Sequence, residues 1–408
     1  MRRTLHISEK EIKKQSAQIL QPVKYEENAV GVCYPGCKIS YNLSCFLNDR
    51  AILRQNLGPY YKRFVFITIQ LDEQETVESF LTKFRDSILL KSFKVSNSTS
   101  ILAMSKNIID SGKSIYIFLL NAHSLKTEVL KDILHVVHVA LTQSVHIRAT
   151  IFFEANIQRP EIAKILQTNN KFLHNLNFFP VYSQEESTIF VQTLCRAWNV
   201  KISAEIIQKI VSSCGGSLWL LRETIRFIRE YKTTDLQTIM KSSGIQLRAE
   251  YIYNLFTSEE IEVLASIVLN KVIPSDTHIV NYLLQTGVIY HSGQNYVLAL
   301  PLLENYLSKT VKSRVLRLEQ NRVILDSQDI TDLLTPAELH LLVLLLRYRS
   351  SAVSKEQIAQ VIWGNNWTEK YSDWALDKLL SRLRKTIVRF GLPETIIETK
   401  KGRGVILH

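Results

Sequence analysis

Between residues 29 and 182 the chain alternates short apolar runs with stretches of helical periodicity. The runs are AVGVCY (29–34), RFVFITIQL (63–71), SIYIFLL (114–120), RATIFFEA (148–155) and LNFFPVY (176–182). They are rich in β-branched and aromatic residues and lack strict polar alternation, as strands buried on both faces of a parallel sheet do. Segments such as TVESFLTKFRDSILL and EVLKDILHVVHVAL lie between them and predict helices. Strand–helix alternation of this length predicts an α/β layer structure. After residue 183 the strand pattern stops. SQEESTIFVQTLCRAWN opens with a capping-box spacing, Ser183-x-x-Glu186, and two more helices flank Gly215-Gly216.

Residues 248–310 read as helices followed by GVIYHSGQNYVLAL, two strands turning at Ser292-Gly293. Helices followed by a hairpin outline a winged helix. From about residue 313 a second such outline runs from strand-like RVLRLEQNRVIL through helices to a closing IIETKKGRGVILH hairpin. The two share architecture without a visible sequence repeat.

At 408 residues, with 46% hydrophobic and 22% charged residues, the chain is long enough for two or three domains with their own cores. A net charge of +12 favours a polyanionic partner, nucleic acid or an anionic membrane surface. The densest apolar run, LLVLLL at 341–346, falls far short of the roughly 18 residues of a membrane span. The N-terminal MRRTLHISEKEIKKQ has no apolar core behind its basic residues, so no secretory signal is expected. Five cysteines without a framework spacing point to reduced thiols in a cytoplasmic protein.

The charge is concentrated. Between Lys378 and Arg403 stand eight basic residues against two acidic, a net +6 that is half of the chain's total. In SDWALDKLLSRLRKTI (372–387), Leu376, Leu380, Leu383 and Ile387 recur at helical spacing and predict a core face. Lys378, Ser381, Arg382, Lys385 and Arg389 lie opposite. A basic helix beside a basic, glycine-containing hairpin suits a major groove and the neighbouring phosphates. An isolated charge run is more often a solvated face, but this one belongs to a series of four motifs in fixed order.

Leu334-Thr335-Pro336-Ala337-Glu338, then Val353-Ser354 to Ile358 with Val361-x-Trp363-Gly364, then Leu376-Asp377, Leu380 and Leu383-Arg384, and last Thr399-x-x-Gly402-x-Gly404 form that series. This quarter of the chain resembles the OmpR/PhoB-type winged-helix DNA-binding domain of bacterial transcriptional regulators. Val405 stands at the wing's usual tyrosine, and Leu379 where the family commonly has a polar residue. The resemblance implies a recognition helix at about 372–388 directing Trp374, Lys378, Ser381 and Arg382 at double-stranded DNA. It places Arg384 and Lys385 nearer phosphates and Lys400, Lys401 and Arg403 on the wing. The earlier winged-helix outline has Asp276 and His278 on its helix but no cluster of Lys or Arg, which predicts a packing module.

GVCYPGCKIS (31–40) resembles the phosphate-binding loop G-x-x-x-x-G-K-[ST]. Gly31 and Gly36 have the loop's separation, but Cys37 stands where the lysine belongs, Lys38 follows one place late, and Ser40 comes after Ile39. With the helical lid behind it, the five-strand region resembles the degenerate P-loop module of STAND, AAA-like regulators. That likeness puts Asn121 at the Mg²⁺-binding aspartate, Ala122 at the water-activating acid, Asn156 at a sensor position and GGSLWLLRE (215–223) on the lid motif. Hydrolysis needs the metal, the lysine and the carboxylate, and all three are altered. No turnover, no required cofactor and no metal are therefore expected. ATP or ADP binding at Gly31, Gly36, Lys38, Ser40 and Asn121 remains as a vestige of the loop. Cys33, Cys37 and Cys45 lack a paired second half for a metal site and predict buried thiols, and His135 and His138 predict satisfied core or edge histidines.

The expected fold class is multidomain α/β plus winged helices. A basic N-terminal segment (1–24) precedes a parallel-sheet P-loop domain with a helical lid (25–235). A middle winged-helix packing module (236–312) and an OmpR-type winged helix (313–408) follow. The expected function is a cytoplasmic, sequence-specific DNA-binding transcriptional regulator that uses its P-loop domain for sensing, homo-oligomerisation or protein docking, without a membrane partner. A nucleotide-switched STAND ATPase and a DNA-docking subunit of a larger nucleoprotein assembly are the alternatives.

Overall fold

The computed structural model describes residues 6–91, 93–96, 98, 100–269, 277–293, 295–304, 307, 316–325, 328–349, 351–364, 367–390, 392, 396–400 and 404–408. The chain divides into two compact units, Met1–Glu304 and Asn305–His408.

In the first unit five strands, β1 (Ala29–Cys33), β2 (Phe64–Gln70), β3 (Ser114–Leu120), β4 (Ile147–Phe153) and β5 (Leu176–Phe179), pair in the order β2-β3-β4-β1-β5. Every pairing is parallel. All residues of β1 and β3 are buried, the environment that their uninterrupted apolar runs predict. The 176–182 run stops as strand at Phe179, and Pro180 has no N–H for a further ladder bond. In parallel sheets ligands collect at the carboxyl ends of strands. Here loop 34–38, Asn121 and Glu154 emerge side by side from β1, β3 and β4, which are neighbours in the sheet.

The expected N-terminal basic segment is instead part of this unit. Its helix Glu9–Lys24 buries Ile19, Leu20 and Val23, and Gln18 Nε2 donates to the Phe178 carbonyl at 2.8 Å on edge strand β5. The Ser183 capping box forms only by half. Ser183 Oγ accepts from the Glu186 N–H at 3.2 Å, while the Glu186 carboxylate takes the Ser8 N–H at 3.2 Å and the Ser8 hydroxyl. The lid consists of helices Gln184–Trp198, Ala204–Cys214 and Leu218–Tyr231.

The middle segment also belongs to the first unit, with helices Ser243–Asn254, Ser258–Val268 and His278–Gln285 and a hairpin of β6 (Ile289–Ser292) and β7 (Asn295–Leu298). Asp276 lies outside the described residues. The Val181 N–H donates to the Thr286 carbonyl at 2.9 Å. Arg159 reaches Glu260 at 2.6 Å, both largely buried, and the Leu255 carbonyl at 2.8 Å. Breaking such a buried pair leaves one charge uncompensated, at a cost of about 3–5 kcal/mol. The segment is thus bonded to the sheet domain at several points.

The second unit begins with the antiparallel strands β8 (Leu316–Glu319), β9 (Arg322–Leu325) and β10 (Gln328–Asp329). Helices Pro336–Arg347, Lys355–Trp363, Trp367–Lys370 and Asp373–Arg389 follow, then the hairpin of β11 (Ile397–Lys400) and β12 (Gly404–Leu407). Thr335 and Glu338 form a full capping box at the first helix, with Pro336 at its first position, where a missing N–H costs nothing. Leu376, Leu379, Leu380, Leu383 and Ile387 pack with Leu341, Leu345, Ile358 and Val405 in one core. Leu379 is therefore an additional core residue at a position where a polar side chain was the family norm. Val353 and Val405 exchange backbone hydrogen bonds at 2.9 Å, fastening β12 beside the second helix.

Candidate nucleic-acid interface and the loop after β1

Helix Asp373–Arg389 presents one polar face. Trp374, Lys378, Ser381, Arg382, Lys385 and Arg389 are all exposed, and their spacing places them along one side. Trp374 is 69% exposed, unusual for a side chain of its size, and Lys378 Nζ lies 4.6 Å from its ring centroid. The helix start is pinned by Ser372, whose side chain caps Ala375 N–H, and by Asp373, which takes Lys355 at 2.7 Å and the Tyr371 hydroxyl at 2.6 Å. Further along, the Thr386 hydroxyl donates to Glu338 Oε1 at 3.0 Å. Burial opposes ionisation of Glu338, but its bonds from Thr335 and Thr386 and the charge of Arg382 hold its carboxyl below the usual range.

Arg384 departs from its expected place near phosphate. Its Nε donates to the Ile397 carbonyl at 3.0 Å and its Nη2 to Thr399 Oγ1 at 2.7 Å, so it clamps β11 to the helix. Lys400 sits on β11 and pairs with Glu398 at 3.7 Å, and His408 meets the same carboxylate at 2.8 Å. Lys401, Gly402 and Arg403 lie outside the described residues.

The loop after β1 departs further from expectation. Gly31 is not in the loop: it lies inside β1, where a Cβ would come 2.4 Å from the Phe152 ring of neighbouring β4. Its lack of a side chain serves strand packing. Gly36 is the turn glycine, with φ +83°, a conformation other residues adopt only under strain. Lys38 precedes helix Ile39–Asn48 in a left-handed conformation, and Ser40 lies half-buried in the first turn.

Backbone N–H groups of this loop meet an internal anion. Glu154, 2% exposed just beyond β4, accepts from Gly36 N–H through Oε2 and from Lys38 N–H through Oε1, each at 3.0 Å. Burial raises its carboxyl above the ordinary range, against the pull of the Lys38 charge and the two N–H bonds. The Lys38 ammonium turns toward the lid and middle segment. It lies 4.8 Å from the Trp219 ring and 4.5 Å from the Tyr251 ring, and donates to Tyr251 Oη at 3.3 Å.

Asn121, at φ +60°, accepts from Ser124 N–H and Oγ through its backbone carbonyl, and Ala122 is buried. His123 Nδ1 accepts the Glu154 N–H at 3.1 Å, and burial, with the charges of Lys38 and Arg159, lowers its pKa to about 4. Asn156 is buried against His278, nitrogen to nitrogen at 3.3 Å. Cys33 and Cys45 are buried free thiols and Cys37 a half-buried one. His138 Nδ1 is buried without a partner among the described residues, contrary to its expected satisfaction. Sequence reasoning missed Glu154, His123, Trp219 and Tyr251. Only Glu154 carried a signal, a lone acid closing the apolar run IFFEA.

Residues 331–407 match the family model described as "Transcriptional regulatory protein, C terminal", so the second unit carries an OmpR/PhoB-type DNA-binding domain. The first unit has the parallel five-stranded architecture of P-loop ATPases. The chain is similar in structure to the Walker-type ATPase PABY2304 of Pyrococcus abyssi, with TM-score 0.53 and 13% identity over 72% of this chain and 95% of that one. The ORC2 protein of Aeropyrum pernix aligns with TM-score 0.44 and 11% identity over 74% and 94% of the two chains. No curated protein sequence matches the chain. Among the described residues no helix is long and apolar enough to cross a membrane.

Proposed function

We propose that the protein is a cytoplasmic transcriptional regulator that binds specific double-stranded DNA sequences through helix Asp373–Arg389. The observation that carries this is the exposed face of Trp374, Lys378, Ser381, Arg382 and Lys385 on a helix anchored at both ends within the matched domain. Arginine and lysine read guanine edges and an apolar ring meets thymine methyls, while Lys385 and Arg389 approach phosphates. Selection of binding sites from random duplexes with the full chain tests this. A recovered consensus is expected; uniform affinity for all duplexes would leave only a docking role.

The first unit serves this regulator as a sensing, oligomerisation or docking platform that does not turn over nucleotide. Three features support that role: the lysine of the loop is held by aromatic rings of the lid side, Asn121 and Ala122 offer neither a metal-binding nor a water-activating carboxylate, and Glu154 occupies loop N–H groups. Purified protein is expected to release no phosphate from MgATP above background, with or without DNA. Turnover that vanishes in Lys38→Ala would promote the nucleotide-switched alternative.

A further inference from the structure

We propose that Glu154 is a built-in substitute for a phosphate anion: its carboxylate fills the anion-binding position of loop 34–38 and excludes phosphate ligands from it. The inference rests on the non-hydrolytic role proposed for the first unit.

The geometry carries it in three steps. First, successive loop N–H groups at a helix start form a concavity suited to an oxyanion. Here two of them, Gly36 and Lys38, converge on the two oxygens of one carboxylate at 3.0 Å each. Second, Glu154 comes from the end of the adjacent strand β4, 118 residues from Gly36 in sequence, and is 2% exposed. Burying a carboxylate costs less where hydrogen bonds favour its charged form, and these two N–H groups and the Lys38 charge offset part of the desolvation of Glu154. A phosphate oxygen arriving at the same donors would meet a negative charge already seated there. Third, the opposite side of the loop is also occupied. A Cβ on Gly36 would come 2.8 Å from Ile252, and the Lys38 ammonium rests against the edge-to-face pair of Trp219 and Tyr251. Carboxylate and ammonium together tie loop, sheet and lid, the connection that a bound nucleotide would otherwise make. The surroundings retain unused polar capacity: the hydroxyls of Tyr34 and Tyr282, both buried, have no partner among the described residues.

Inorganic phosphate and ADP are titrated into the full chain by calorimetry, for wild type, Glu154→Gln and Glu154→Ala. Wild type is expected to show no saturable heat. Glu154→Ala, which vacates both N–H groups, gains saturable phosphate binding, with an apparent affinity at least about tenfold above any wild-type signal. Glu154→Gln gains less, because its amide oxygen still satisfies one donor. Folded Glu154→Ala that takes up neither ligand, or wild type that binds phosphate as well as the variants do, would overturn the proposal. A second measurement needs no variant. Amide exchange at Gly36 and Lys38 in wild type is expected to be slow and unchanged by phosphate, and rapid exchange at both would also refute the occupancy. Wild-type MgATP turnover, measured in parallel, reports on the functional role separately. Turnover sinks that role, whereas silent turnover with inert variants sinks only the inference about Glu154.

Discussion

Two basic sites in this protein use the same residue types in opposite ways. On helix Asp373–Arg389 the cations of the polar face, Lys378, Arg382, Lys385 and Arg389, are exposed, while Ser372, Asp373 and Thr386 fix the helix and Arg384 turns to the hairpin. Around loop 34–38 the charged groups hold partners within the chain: the half-buried Lys38 sets its ammonium against two aromatic rings, and a buried carboxylate takes the loop's N–H groups. A site built for an outside anion keeps its donors presented, because counterion release and base contacts are available only to exposed cations. Donors that already hold an internal partner stabilise the fold instead. The positive charge of a motif therefore says less about function than where its hydrogen bonds end.

The sharpest way to break the comparison is to remove a cation from each site. Lys378→Ala with Arg382→Ala is expected to weaken the selected duplex by on the order of 30- to 25,000-fold, at about 1–3 kcal/mol for each of the two lost base contacts, while leaving the melting temperature nearly unchanged. Fluorescence anisotropy against preferred and scrambled duplexes measures it. Lys38→Ala should leave both duplex affinities alone. If Lys38 mattered to DNA as much as Arg382, the division between presented and internally partnered charge would collapse.

The next effect is in pH. The pKa of His123 is lowered to about 4 in the folded state, chiefly by burial, so the unfolded chain binds the extra proton first. Its contribution is complete above the unfolded value of about 6.5 and is lost as pH falls from there toward 4. Denaturant titrations of wild type and His123→Gln across that window should diverge by on the order of 2 kcal/mol, with the flatter profile in the variant. Identical slopes would place His123 in contact with water.

A smaller effect tests the clamp. Arg384→Ala removes two hydrogen bonds to β11 and should cost the second unit about 1–2 kcal/mol of stability. It should weaken preferred and scrambled duplexes by similar factors, since Arg384 positions the hairpin and does not read bases. A selective loss on the preferred site would return Arg384 to the reading face. The smallest change expected is the stability of Lys38→Ala, about 1 kcal/mol below wild type in thermal unfolding, from the lost cation–ring contacts.

The strands of the sheet were legible because burial on both faces leaves unbroken apolar runs, and all five fall where those runs lie. The core face of the recognition helix was legible for a similar reason, since Leu376, Leu380, Leu383 and Ile387 repeat at helical period. The loop after β1 was misread at Gly31. Its separation from Gly36 spells a phosphate loop, yet what decides its role is the Phe152 ring on a strand more than a hundred residues away. Glu154 showed only as a lone acid closing an apolar run, and its role was hidden for the same cause, since its partners Gly36 and Lys38 are remote in sequence. Arg384 looked like its basic neighbours because composition does not report which cations turn toward the hairpin. Local periodicity is written in neighbouring residues, and the ends of hydrogen bonds are not.

The helix Glu9–Lys24 bears on how the chain tolerates shortening. Edge strand β5 has a neighbour on one side only, and Gln18 occupies the Phe178 carbonyl on it. An open strand edge is a template for pairing with another molecule. A chain beginning at residue 25 would uncover that carbonyl together with the apolar surface now under Ile19, Leu20 and Val23. Self-association through β5 would follow, so oligomers observed with such a shortened chain would report a lost cover rather than a native assembly.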